Sequence, residues 1–120
     1  MAADDKLVSL LHSQRQAALT RVAVLQQEFA GIIAAASAAN GDDEHDPEGA
    51  TIAFERQYVV ALLEQARCSL AQVDESLQRV ADGSYGTCAS CREPIPPARL
   101  AARPTATTCT SCAARESPRR

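Results

Sequence analysis

Between Asp4 and Asn40 the chain has no proline and a single glycine, Gly31, while apolar or small residues return at Leu7, Leu11, Ala18, Val22, Leu25, Phe29, Ile32 and Ala36. Steps of three and four put all of these on one side of an α-helix, so the rhythm predicts one long amphipathic helix, roughly 50 Å at about 1.5 Å per residue. Gln14 alone interrupts the stripe, polar where the pattern wants an apolar side chain. A second stripe follows at Ile52, Val59, Leu62, Ala66, Leu70, Val73, Leu77 and Val80, and stops at Asp82-Gly83, a C-cap signal. Between the stripes, residues 40–49 combine Asn-Gly, five acids, Pro47 and Gly49, which reads as a turn. Within it Asp46 suits an N-cap and Pro47 the first position of the next helix.

Each helix alone would leave its apolar stripe in water, so residues 1–82 are expected to fold back as an antiparallel helical hairpin, a coiled coil. Pairing about the turn brings Ile33 near Tyr58, Leu25 near Ala66, Val22 near Leu70, and Leu11 near Val80. Composition agrees: 24 of 120 residues are alanine and only five are glycine, which favours helix. No tryptophan, two phenylalanines and two tyrosines leave little surface for a compact core with a deep pocket, so the chain is not expected to be an enzyme. A net charge of −3 excludes a generally basic nucleic-acid binder. Residues 1–82 carry 6 basic and 13 acidic side chains, a net −7, and residues 83–120 carry 6 and 2, a net +4. The longest apolar stretch, Phe29 to Ala39, falls short of the roughly 20 residues that span a bilayer. The N-terminus opens with acids and has no h-region, so a cytoplasmic protein is expected.

After Gly83 the composition shifts to Cys, Pro, Thr and Arg, and two pairs appear, Cys88-Ala89-Ser90-Cys91 and Cys109-Thr110-Ser111-Cys112, separated by 17 residues. A CxxC turn lets two sulfurs face one point, and two such turns complete a closed tetrahedral zinc site. One structural zinc held by Cys88, Cys91, Cys109 and Cys112 is therefore the preferred reading, with a redox pair or disulfides as alternatives. Pro94, Pro96, Pro97 and Pro104 preclude a continuous helix between the pairs, so zinc would supply the stability of residues 83–116. Residues 117–120 form a short tail. Cys68, far from both pairs, reads as a small buried or half-buried helix residue.

The string Gly83-Ser84-Tyr85-Gly86-Thr87-Cys88-Ala89-Ser90-Cys91, then Ile95, Arg99 to Ala106, and Cys109 to Cys112, resembles the C4 zinc finger of the DksA/TraR proteins, and the preceding hairpin fits the same family. The resemblance implies a bacterial transcription regulator that binds RNA polymerase, not DNA, inserts its coiled-coil arm into the secondary channel and changes promoter-complex lifetime, often together with ppGpp. The family's tip pattern, Asp-x-x-Asp-x-Ala, is matched at Asp46, but Gly49 and Thr51 replace its later members. Asp42, Asp43, Glu44, Asp46 and Glu48 are the tip's candidate polymerase contacts. Arg103 matches the family's arginine against the nucleotide and is a candidate nucleotide or polymerase contact, while Gln72 and Ala113 stand where the family is basic. The tail is too short for the extra C-terminal helix of longer members.

The function expected is modulation of transcription through RNA polymerase. A zinc-capped coiled-coil adaptor for some other protein would use the same stripes and cysteines. A transcript-cleavage cofactor would use the tip acids to place a magnesium ion. Direct DNA binding is disfavoured, because no lysine follows Lys6 and residues 83–116 hold a single aromatic, Tyr85.

Overall fold

The computed structural model describes residues 4–39 and 47–116, the side chains of 39 and 47–49 excepted. Four helices follow in order: α1, Asp5–Ala39; α2, Pro47–Asp82; α3, Pro97–Ala102; and α4, Thr110–Glu116. No strand occurs among the described residues, only an isolated antiparallel bridge between Thr87 and Pro94. No helix is long and apolar enough to cross a membrane among those residues. Two compact units are present, residues 1–16 with 71–120, and residues 17–70.

Both long helices start and stop where local chemistry dictates. Asp4 caps α1: its Oδ1 accepts the Lys6 amide at 2.9 Å and its carbonyl the Val8 amide at 3.0 Å. α2 begins at Pro47, whose missing N–H costs nothing in the first turn. Its other end closes in a Schellman motif, with Gly83 N–H donating to Val80 O at 3.3 Å and Ser84 N–H to Arg79 O at 2.9 Å. Gly83 takes φ +86°, open to glycine but strained for other residues, although space around it is free. The Asp82 carboxylate accepts from both the Oγ and the amide of Ser84, and these bonds hold its pKa below the usual value.

The two stripes pair as an antiparallel hairpin. In residues 17–70, Leu25 of α1 packs with Val59, Leu63 and Ala66 of α2, and Val22, Phe29, Ile32 and Leu62 close around them. In the other unit Leu11 and Val73 are buried, and the Arg15 guanidinium pairs with Asp74 at 2.5 Å. That ion pair is substantially exposed and contributes about 1 kcal/mol or less. The buried residues fall seven apart, Leu11, Ala18 and Leu25 on α1 and Val59, Ala66 and Val73 on α2, the spacing of a coiled-coil seam. Leu25 and Ala66 thus meet as the stripes require.

Three expectations change. Ile33 and Tyr58, expected to face each other, are 38% and 60% exposed, because the rhythm of α1 turns Ile32 inward in place of its neighbour. Cys68 is exposed, since it falls between the stripe positions Ala66 and Leu70 on the far side of the turn. Leu63 is buried whereas Leu62 is half-buried, and Ser76, on the Val73 side of α2, is buried at 1% exposure. The expected turn, with Asp42, Asp43, Glu44 and Asp46, lies outside the described residues. Glu48 falls within α2, but its side chain lies outside them.

Leu25→Ala should destabilise the hairpin by about 2 to 3 kcal/mol, near the low end for a buried leucine because the core is thin. Gln14, half-buried on the stripe, should tolerate Leu with neutral or improved stability. Urea unfolding followed by helical circular dichroism checks both, and a clear loss in Gln14→Leu would place that residue off the seam.

Candidate metal centre

Residues 83–116 hold their shape through short backbone bridges rather than through a sheet. After the end of α2, Gly86 at φ +87° turns the chain so that its carbonyl accepts the Ile95 amide at 2.8 Å. Cys88 N–H donates to Glu93 O at 2.8 Å, and Arg92, at φ +68°, donates to Cys88 O at 3.0 Å. This tight turn swings Cys91 back toward Cys88, so that the Cys91 amide points at the Cys88 sulfur at 3.5 Å.

The second pair is brought in by α3, α4 and their linker. Pro97 starts α3, and its Leu100 is buried beside Ile95. Arg99 Nε donates to Thr108 O at 2.8 Å, and Ala89 N–H to Thr107 O at 2.8 Å, tying the stretch before Cys109 to both α3 and the first turn. Tyr85 OH donates to Pro104 O at 2.8 Å, and partial burial raises its phenol pKa. Cys112 lies on α4 and is buried. Cys88, Ile95, Leu100 and Cys112 form one apolar cluster, covered by Leu7, Tyr85, Ala106 and Cys109.

The sulfurs of Cys88, Cys91, Cys109 and Cys112 all lie within 4.8 Å of one another. Those of Cys91 and Cys109 are 3.9 Å apart. Tetrahedral zinc with sulfurs at about 2.3 Å requires sulfur separations of about 3.8 Å, so the donor set fits that ion in number, type and spacing. The site is electrostatically divided. The amide of Cys91 foremost, then those of Cys109 and Ser90, stabilise the Cys88 thiolate and bring its pKa down to about 6. Burial and the three neighbouring sulfurs push Cys112 up to about 12. Four thiols so close cannot all ionise by themselves, and a dication is the group that lets them. A single redox pair would leave two convergent sulfurs unused, and all four cysteines are free thiols rather than disulfides. One structural zinc is the cofactor.

Two further contacts surround the cluster and were not signalled by the cysteine spacing. Arg115 Nη2 donates to Cys112 Sγ at 3.3 Å, and Ser90 Oγ to Glu116 Oε2 at 2.6 Å. Arg103, the other candidate contact residue, is exposed at the end of α3, and its guanidinium has no partner among the described residues. Gln72 is exposed on α2, and Ala113 is half-buried on α4.

Residues 83–118 match the family described as the prokaryotic dksA/traR C4-type zinc finger. The chain is similar to the RNA polymerase-binding transcription factor DksA of Caulobacter vibrioides, 52% identical over 44 residues, which are 37% of this chain and 31% of that protein. It is also similar to the uncharacterised protein YteA of Bacillus subtilis, 39% identical over 66 residues, 55% of this chain and 28% of the other. The matched segments thus span about a third of these curated relatives. The solved structure of transcription factor DksA2 from Pseudomonas aeruginosa aligns over 93% of this chain and 81% of that one, with a TM-score of 0.80 and 33% identity.

Purified protein should contain one zinc per chain, and Cys88→Ser or Cys109→Ser should lose both the metal and the fold of residues 83–116, while most helical circular dichroism persists. Because zinc must displace protons from the thiols, its apparent affinity should fall with pH. Above about 6 the Cys88 thiolate is already formed, and below that value zinc competes with one more proton, so the fall should steepen. Chelator competition between pH 5 and 8 measures this, and an affinity independent of pH would rule out thiolate ligation.

Proposed function

The chain belongs to the DksA/TraR family of C4-type zinc finger proteins, and on that premise we propose that it is a transcription regulator that acts by binding RNA polymerase. The observation that carries the reading is the DksA2 likeness, which extends over 93% of the chain and therefore takes in the helical hairpin as well as the zinc finger. A match to the finger alone would leave the hairpin free to serve any partner. The relative from Caulobacter vibrioides is named for polymerase binding, and this chain shares half its residues in the matched segment.

In the proposed mechanism the hairpin enters the secondary channel, tip first, and alters the lifetime of promoter complexes. The protein itself supplies no reacting group. Its contribution is shape and charge: a helical pair with few bulky side chains, and at residues 40–49 five carboxylates, Asp42, Asp43, Glu44, Asp46 and Glu48, that would meet basic groups or the metal of the polymerase centre. Arg103, exposed and without a partner among the described residues, is the zinc finger's candidate contact with polymerase or nucleotide. ppGpp is not required by this reading, because Gln72 and Ala113 supply no cation to accompany Arg103. The place of action would be the cytoplasm, where the polymerase is.

Core polymerase should be retained by the immobilised protein and displaced by a known secondary-channel ligand; retention that such a ligand leaves untouched would favour the adaptor reading. Replacing Asp42, Asp43, Glu44 and Glu48 together by Asn or Gln should change stability by less than about 0.5 kcal/mol, while abolishing most of the effect on promoter-complex half-life. At Asp46, Asn should keep the cap and remove the charge, whereas Ala should cost about 1 kcal/mol as well. A neutral tip that acts as strongly as the parent would assign the activity to the hairpin's shape or to the zinc finger.

A further inference from the structure

Four zinc-bound thiolates leave a net charge of −2 on the centre, and the protein around it must keep that charge from being captured by protons or electrophiles. The described part of the finger holds four arginines that could answer it. Arg92 and Arg103 are exposed with no side-chain partner among the described residues, and Arg99 is committed to the Thr108 carbonyl. Arg115 alone reaches a sulfur, with Nη2 at 3.3 Å from Cys112 Sγ.

The placement follows from α4. Cys112 and Arg115 are three residues apart on that helix, so their side chains share a face. The end of the helix is fixed over the first cysteine turn by Ser90 Oγ, which donates to Glu116 Oε2 at 2.6 Å. Ser90 stands between two ligands, so the bond holds Arg115 and the Cys88-to-Cys91 turn in one arrangement. Cys112 is, with Cys88, one of the two buried ligands, and its sulfur lies within 4.8 Å of the other three.

We infer that Arg115 is a positioning residue of the zinc centre: its guanidinium donates a charge-assisted hydrogen bond to the Cys112 thiolate, strengthening zinc retention and shielding that sulfur from electrophiles. Arg115 is exposed and its neighbours on α4 are fixed independently, so removing the guanidinium leaves the finger able to fold.

The test measures zinc affinity by chelator competition, and zinc release on addition of a thiol-alkylating reagent, in the full chain. Arg115→Gln should weaken zinc by about tenfold and speed release by a similar factor, the usual loss when a group behind a ligand is removed. Arg115→Lys keeps the charge and should recover all but about threefold of the affinity. Arg103→Gln removes the same charge from the same finger without touching a sulfur, and should bind and release zinc as the parent does, whatever it does to polymerase binding. Equal affinity and release in Arg115→Gln and the parent would overturn the assignment. So would an equal loss in Arg103→Gln, which would make the effect one of overall charge. A parent protein that binds no zinc at all would instead overturn the metal centre itself.

Discussion

A chain of 120 residues with four aromatics cannot enclose one large core, and every other feature answers that shortage. Helix pairing answers it along residues 17–70, where the seam is built from Leu25, Val59, Leu63 and Ala66. Small residues fill several of the buried positions, Ala18, Ala66 and Ser76, and add contact without bulk. The seven-residue spacing keeps those positions in register over many turns, so many modest contacts replace a few large ones.

Metal ligation answers the same shortage in residues 83–116. Two of the four residues in its buried cluster, Cys88 and Cys112, are ligands, so the core and the metal site are one object. Ile95 and Leu100 alone would bury too little to offset the ordering of a segment with four prolines and only two short helices. Structural zinc contributes on the order of 10 kcal/mol or more to such a segment. Its thiols also explain the opposed tendencies of Cys88 and Cys112: backbone amides favour one thiolate and crowding disfavours the other, and the ion reconciles them.

Much of this was legible in the sequence because periodicity and cysteine spacing are geometric statements. Leu11, Ala18, Leu25, Val59, Ala66 and Val73 were readable as seam residues because three-and-four steps admit few other arrangements. The four ligands were readable because CxxC fixes two sulfurs within one turn. What escaped was detail beside the stripes: Ile32 and Leu62 are legible as stripe residues, but the expected pairing sets Ile33 against Tyr58 although both are exposed, and the stripe omits Leu63, buried next to Leu62. Ser76 escaped because a polar residue reads as surface until packing shows that it is buried. Arg115 escaped because its role depends on α4, a seven-residue helix too short to show a rhythm of its own.

The join between α2 and the first cysteine turn shows how the two solutions are made compatible. Arg79 takes part in both: its carbonyl accepts the amides of Ser84 and Tyr85 at 2.9 and 3.1 Å, ending the helix, and its Nη2 donates to Thr87 O at 3.2 Å, one residue before Cys88. The same arginine therefore terminates the helical hydrogen bonds and positions the entry to the metal site. Gly83 and Gly86, both at positive φ, supply the two changes of direction that this requires within four residues. Helix length and ligand geometry are then coupled through local backbone bonds. An insertion or deletion between Arg79 and Cys88 would break the Schellman bonds or the Thr87 contact, whereas a change in the middle of α2 would leave both intact. The spacing from the helix end to the first cysteine is thus under tighter physical constraint than either element's own composition.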